Sequence, residues 1–346
     1  MPNPLNRLPM VLTMGDPAGI GPEIIAGAMI EHPDLLAKEV VVAGDVRVLR
    51  RAGELVAKER GLALPEWLEL TGLDSWQPQV GRLAVVQACE PVRDLQMGQV
   101  SASSGLAAAQ CIEWAANRAL QGMASAVVTA PIHKEALSAA GVHHPGHTEF
   151  FQALAAEHLG VKVDSLPVRM MLSCPGLCTV LVSIHVSLRE AIAAVTSAQV
   201  LQTLRLTVDH FQRCGHPRVR IAVAGLNPHA GEGGLFGREE IDAIAPAVQA
   251  AQADGVQVVG PVAPDTVFMR ARRGEFDVVI AMYHDQGLIP VKLLGLDEGV
   301  NTTIGLPFVR TSPDHGTAFD LAGTGRANPA SLWAAIEAAR GMSLQV

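Results

Sequence analysis

Three histidines carry the sharpest chemical signal in this chain. His185, His229 and His284 each close an apolar, β-branched run: TVLVSIHV, RIAVAGLNPH and VVIAMYH. They stand 44 and 55 residues apart, so only the fold can bring them together. Three imidazoles around an open fourth position are the usual layout of a catalytic divalent-metal site. Zinc, cobalt or nickel would suit such ligands better than magnesium. Taken singly, each could equally be a hydrogen-bonded structural histidine; three at equivalent strand ends point to a shared site. His133 and Lys134 after SAVVTAP, and Asn227 beside His229, add polar side chains at strand ends of the same kind.

Other segments carry weaker chemistry. GLNPHAGEGG, residues 225–234, has four glycines that would let backbone N–H groups approach an anion, or simply make a strand-to-helix turn. HPGHTEF precedes the helical stretch FFQALAAEHL, with Thr148 as the expected N-cap at a helix start that favours phosphate. GDPAGIGPE lacks the third glycine of the G-x-G-x-x-G fingerprint, which argues against a dinucleotide fold of that type. Residues 300–329 read as one long ordered loop holding Asn301, Arg310, Asp314, His315 and Asp320, and such loops are usually functional. Arg310 is either a bidentate grip for a carboxylate or phosphate, or a surface charge.

The elements that must position these residues alternate. Apolar runs at residues 40–45, 125–131, 178–187, 219–228 and 277–286 predict parallel strands covered on both faces. Between them lie Ala-rich helical stretches: one opened by Pro22, one over 104–123, one long or two shorter over 187–215, and one over 237–255 with a kink or break at Pro246. Strand–helix alternation predicts α/β layers, with ligands at the carboxyl ends of the strands. The 346 residues correspond to two domains at roughly 150 residues each. A 49% hydrophobic composition excludes a disordered chain. A net charge of −8 without a basic cluster argues against nucleic acid as a partner. No apolar run approaches the ~18 residues of a membrane span, and the Pro-broken N-terminus does not read as a signal peptide. The odd count of five cysteines argues against a disulfide framework; Cys174 and Cys178 read as small core residues, and the expected location is cytoplasmic.

Seven segments in order, GDPAGIGPE, VVTAPIHKEAL, GHTEFF, IHVSLREA, GLNPHAGEGG, AMYHDQGLIPVK and NTTIGLPFVRTSPDHGTAFDLAG, resemble the 4-hydroxythreonine-4-phosphate dehydrogenase family of vitamin B6 biosynthesis. The likeness spans nearly the whole chain, from about residue 11 to 333. It implies two α/β/α domains similar to isocitrate and isopropylmalate dehydrogenases, with the active site in the cleft between them. Residues 1–128 and 308–346 would form the terminal domain, and 129–307 the central one. The metal ligands would be His185, His229 and His284, holding zinc, cobalt or magnesium. The substrate would meet His147, Thr148, Lys292, Asn301 and Arg310. HGTAFDLAGTGRANP resembles the cofactor loop of the wider group, which places His315 and Asn328 on adenine and Asp320 on the adenosine ribose; the Asp leans towards NAD over NADP. The implied reaction oxidises 4-phosphooxy-L-threonine to a β-keto acid that loses CO₂, with Lys292 or Asp285 as proton acceptor. The family also implies a homodimer with shared active sites. Sister activities on D-threonate or D-erythronate 4-phosphate keep nearly the same segments; a terephthalate cis-dihydrodiol dehydrogenase ranks third.

Overall fold

The computed structural model describes residues 8–64, 66–295 and 298–343, so the first seven residues of the stretch read as lacking a signal peptide lie outside it. The chain forms two compact units. One comprises residues 8–167 and 306–343, and the other is Val168–Gly305. The expected crossing near residue 128 therefore falls later, after Pro167. The cause is packing: the helix Lys134–Ala139 lies so close to the helix Ala102–Leu120 that a Cβ at Gly105 would collide with the Ala136 carbonyl.

In the first unit six strands lie in the order β3 (Glu66–Leu70), β4 (Arg82–Gln87), β2 (Val40–Gly44), β1 (Met10–Thr13), β5 (Ala126–Thr129) and β12 (Val309–Pro313). All their pairings are parallel. The sequences MVLT, VVVAG and AVVT are buried at every residue, as strands covered on both faces require. Helix starts are chemically marked. Asp45 accepts from Arg47 N and Val48 N at 2.8 and 3.1 Å to open Val46–Arg60, and Gly61 closes it at φ 65°. Pro22 sits in the first turn of Gly21–Glu31, as predicted.

The second unit orders β11 (Val300–Ile304), β6 (Arg169–Cys174), β7 (Leu177–Leu181), β10 (Val278–Ala281), β8 (Ile221–Ala224) and β9 (Val258–Val262). β6 runs antiparallel to β11 and β7, and the others are parallel. Leu172, Leu181, Ala222, Val279 and Val291 pack in its core. Two open alternatives are decided here, and one expectation changes. Residues 187–215 are two helices, Leu188–Ala194 and Ser197–Arg213, because Ser187 and Glu190 form a capping box and Thr196 caps the second. Pro246 lies in the first turn of Ala245–Ala253, behind a π turn at Glu240–Ile244, so the interruption expected at this proline falls where that helix begins. Residues 300–313, read as loop, supply β11 and β12, since VNTTI and VRTSP place alternate side chains in apolar layers. No helix among the described residues is long and apolar enough to cross a membrane.

Candidate active site

The second unit presents its histidines at strand ends. His185 lies four residues past β7, His229 five past β8, and His284 opens the helix His284–Leu294 after β10. The rings of His185 and His284 stand 5.7 Å apart, centroid to centroid. Asp285 Oδ1 is 2.7 Å from His284 Nδ1. A carboxylate can only accept, so Nδ1 carries the proton, and Nε2 is the ring atom left to face a metal, the orientation of a metal-ligating imidazole. His229 is exposed on a tight turn, its ring 6.2 Å from that of Phe236. The structure thus brings two of the three together. Among the described residues no set of three His, Cys, Asp or Glu side chains is gathered as a finished metal site. The donor set still suits a borderline divalent cation: neutral imidazoles, one of them oriented by a carboxylate. Lys292 lies two turns along the helix from His284. Asn301, on β11, holds a buried Oδ1 without a hydrogen-bond partner, an acceptor fit for a ligand's O–H or N–H.

The first unit holds a separate polar pocket. Arg310, on β12, is only 2% exposed and donates from Nη2 to Thr129 Oγ1 at 2.7 Å at the end of β5. Its guanidinium stands 5.8 Å over the Phe151 ring. Burial lowers its pKa to about 9, partly offset by Glu149. His147 begins the helix His147–Leu159, with Gly146 rather than Thr148 as N-cap. Thr148 falls one residue inside, because the extended residue is the glycine, at φ −176°. Burial first, and Arg310 second, hold the His147 pKa well below the ordinary imidazole value. Its Nε2 is buried without a hydrogen-bond partner. A neutral imidazole, a buried guanidinium and a helix start together make a site for an anion.

The cofactor-loop residues His315, Asp320 and Asn328 are all exposed. His315 Nδ1 is 3.0 Å from Gly316 O, and Asn328 Oδ1 accepts from Ala330 N at 3.0 Å to start the last helix, Ala330–Ser343. What fixes the loop is a residue the sequence reading passed over. Glu23, 1% exposed, accepts from Gly323 N at 2.5 Å and Gly325 N at 2.7 Å, while Ile20 donates to Thr317 O at 3.0 Å. GDPAGIGPE therefore shapes the loop from below; the clue was a carboxylate inside the apolar stretch AGIGPEIIAGAM. A cavity of about 410 Å³ adjoins it, lined in part by Glu23, Leu55, Met97 and Gly323. Thr129, Ser183, Glu240 and Gln286 were likewise missed, being commonplace polar residues whose partners are distant in sequence.

Fold and sites together define an α/β protein with a buried arginine beside a histidine and with histidine-bearing loops at strand ends. Residues 36–339 match the family model of the pyridoxal phosphate biosynthetic protein PdxA, and the chain belongs to that family. The 4-hydroxythreonine-4-phosphate dehydrogenase of Beijerinckia indica is 49% identical, over 95% of this chain and 93% of its own. The D-threonate 4-phosphate dehydrogenase of Pectobacterium atrosepticum is 43% identical, over 95% of this chain and 98% of its own. The crystal structure of 4-hydroxythreonine-4-phosphate dehydrogenase from Klebsiella pneumoniae superposes with a TM-score of 0.86 at 42% identity, covering 98% of this chain and 99% of that one. The relatives are oxidoreductases.

Proposed function

We propose that this protein oxidises 4-phosphooxy-L-threonine to 2-amino-3-oxo-4-phosphooxybutanoate with NAD or NADP; loss of CO₂ then gives 3-amino-2-oxopropyl phosphate. The observation that carries the reading is the buried Arg310 guanidinium beside neutral His147. A guanidinium positioned by Thr129 beside an imidazole suits a phosphate or carboxylate, which it can meet bidentately. Thr148 at the same helix start, Lys292 and Asn301 are the further residues proposed to meet the substrate. When bound, the nicotinamide supplies a hydride acceptor, and a divalent cation on His185, His229 and His284 supplies Lewis acidity. Asp285 is committed to His284 Nδ1, so its role is to orient that ring. Lys292 is then assigned as the acceptor for the hydroxyl proton. His315, Asp320 and Asn328 would receive the adenosine end of the cofactor. Two copies of the chain would share their sites, and five unpaired cysteines agree with a cytoplasmic setting.

The second reading is D-threonate 4-phosphate dehydrogenase, favoured by the 43% identical relative of that name. NAD(P) reduction in the presence of zinc or cobalt decides between them. Turnover of 4-phosphooxy-L-threonine well above that of D-threonate and D-erythronate 4-phosphates supports the first, and the reverse order replaces it with the second. No reduction with any of these substrates, metal and both cofactors being present, rejects both.

A further inference from the structure

The loops that carry the three histidines are fastened to one another by side chains outside the histidine set. Ser183, two residues before His185 and buried, donates from Oγ to Met282 O at 2.9 Å. Met282 lies two residues before His284. Gln286, two residues after His284, accepts from Met282 N through Oε1 at 2.7 Å and donates from Nε2 to Gly225 O at 2.7 Å. Gly225 is the first residue past β8 and opens the loop of His229. One amide thus clamps the start of that loop to the backbone beside His284.

The His229 loop is then anchored from its far side. Glu240, 2% exposed, accepts from Leu226 N and Asn227 N through Oε1, each at 2.7 Å, and from Asn227 Nδ2 through Oε2 at 2.9 Å. Asn227 Nδ2 also donates to Glu239 Oε2 at 2.7 Å. A Cβ at Gly231 would stand 2.7 Å from Glu240 Oε2, so the turn is wrapped tightly on the carboxylate. Five successive residues, His229 to Gly233, lie in the left-handed region, at φ 52°, 53°, 80°, 43° and 66°. Three of them, His229, Ala230 and Glu232, are not glycine, and such a backbone persists only where its surroundings hold it. His185 also has a left-handed backbone, at φ 45°.

We propose that Gln286, Ser183 and Glu240 are positioning residues of the three-histidine metal site: Gln286 ties the His284 and His229 loops, Ser183 ties those of His185 and His284, and Glu240 anchors the turn that displays His229. None of the three would touch the cation; they set where its ligands can go. The inference rests on the metal reading of the three histidines.

Zn²⁺ affinity of the full-length protein, read by competition with a chromophoric chelator, tests it without relying on turnover. Gln286→Met keeps the bulk and removes both hydrogen bonds. It should weaken Zn²⁺ binding by about 10- to 100-fold, the range seen when outer-shell partners of metal ligands are removed, and leave the unfolding midpoint of the metal-free protein unchanged. Ser183→Ala should weaken binding in the same sense, and raised Zn²⁺ should restore saturation in both variants. If His284→Ala loses Zn²⁺ while Gln286→Met and Ser183→Ala bind it like the wild type, the positioning inference is wrong and the metal reading stands. If Gln286→Met and Ser183→Ala lose apo stability in proportion to affinity, the residues merely hold the fold, which also overturns it. If His229→Ala and His284→Ala both keep full Zn²⁺ affinity, the metal reading itself has failed.

Discussion

Arg310 is almost without solvent contact and reaches Thr129 across paired strands, whereas His185 and His229 are exposed on loops with a left-handed backbone. The first pocket is set by strand register and a helix start, which are rigid and stabilised by apolar packing. The second is set by hydrogen bonds between loops. The Arg310 side chain is therefore held in place by the fold itself. The histidine cluster has two rings 5.7 Å apart and a third on its own turn, so its final geometry depends on what fastens the loops. Charge recognition needs one preset group, while coordination needs several mutually adjusted ones.

The largest expected effect breaks the two regions apart. His284→Ala, or chelation of the wild type, should lower turnover by about 1,000-fold or more if the cation's Lewis acidity carries the chemistry. Phosphate-analogue binding at the Arg310 pocket should survive both treatments. Readdition of zinc or cobalt should rescue the chelated wild type and leave the variant inactive. Full activity in rigorously metal-free protein would remove the cation from the scheme.

Arg310→Met comes next. A lost charge-assisted hydrogen bond costs about 1.5–3 kcal/mol, so kcat/KM for the phosphorylated substrate should fall about 10- to 100-fold per bond made. Zn²⁺ affinity should not change. The unfolding midpoint should hold, because a guanidinium whose charge burial disfavours gives way to an apolar side chain. A large loss of stability instead would show that Arg310 serves the fold through Thr129.

Glu23→Gln probes the loop of His315, Asp320 and Asn328 with a smaller change. The carboxylate accepts from two loop N–H groups, and an amide can accept with only one of its two ends. KM for the nicotinamide cofactor should rise severalfold, with little effect on Zn²⁺ binding or on substrate KM. An unchanged cofactor KM would mean the loop holds its shape without this clasp.

The same contrast explains what the sequence could reveal. The layered α/β class, the buried β-branched strands and the strand-end placement of His185, His229 and His284 follow from local pattern, because a covered parallel strand must be continuously apolar. Arg310 was visible only as a surface-or-site alternative, since nothing local distinguishes a buried arginine in FVRTSP from an exposed one. Thr129, Glu23, Gln286 and Glu240 were out of reach for a firmer reason. Each has a partner between 13 and 302 residues away, and a hydrogen bond between distant loops leaves no periodicity. The strands in residues 300–313 were missed because consecutive polar residues, at 301–303 and 310–312, mimic a loop.

The smallest effect is on stability against pH, and it separates a histidine that awaits a ligand from one that does not. Burial holds His210, in the helix Ser197–Arg213, down to about 4, and burial with Arg310 holds His147 well below its usual value. Both pKa values are depressed in the folded state, so both groups stabilise it fully above the unfolded value of about 6.5. The unfolded chain takes up these protons first, and stability is lost as pH falls from about 6.5 towards 4. Inorganic phosphate beside His147 and Arg310 would favour the protonated imidazole and so reduce that loss; it has no such access to His210, where Arg213 is the charged neighbour. Urea unfolding at pH 7 and pH 5, with and without phosphate, should show a loss at pH 5 that phosphate partly reverses. His210→Leu should shrink the loss and keep the phosphate effect. His147→Gln should shrink the loss and abolish the phosphate effect at pH 5. If phosphate protects His147→Gln as well as the wild type, the imidazole is not part of the anion pocket, and Arg310 with the helix start must account for it alone.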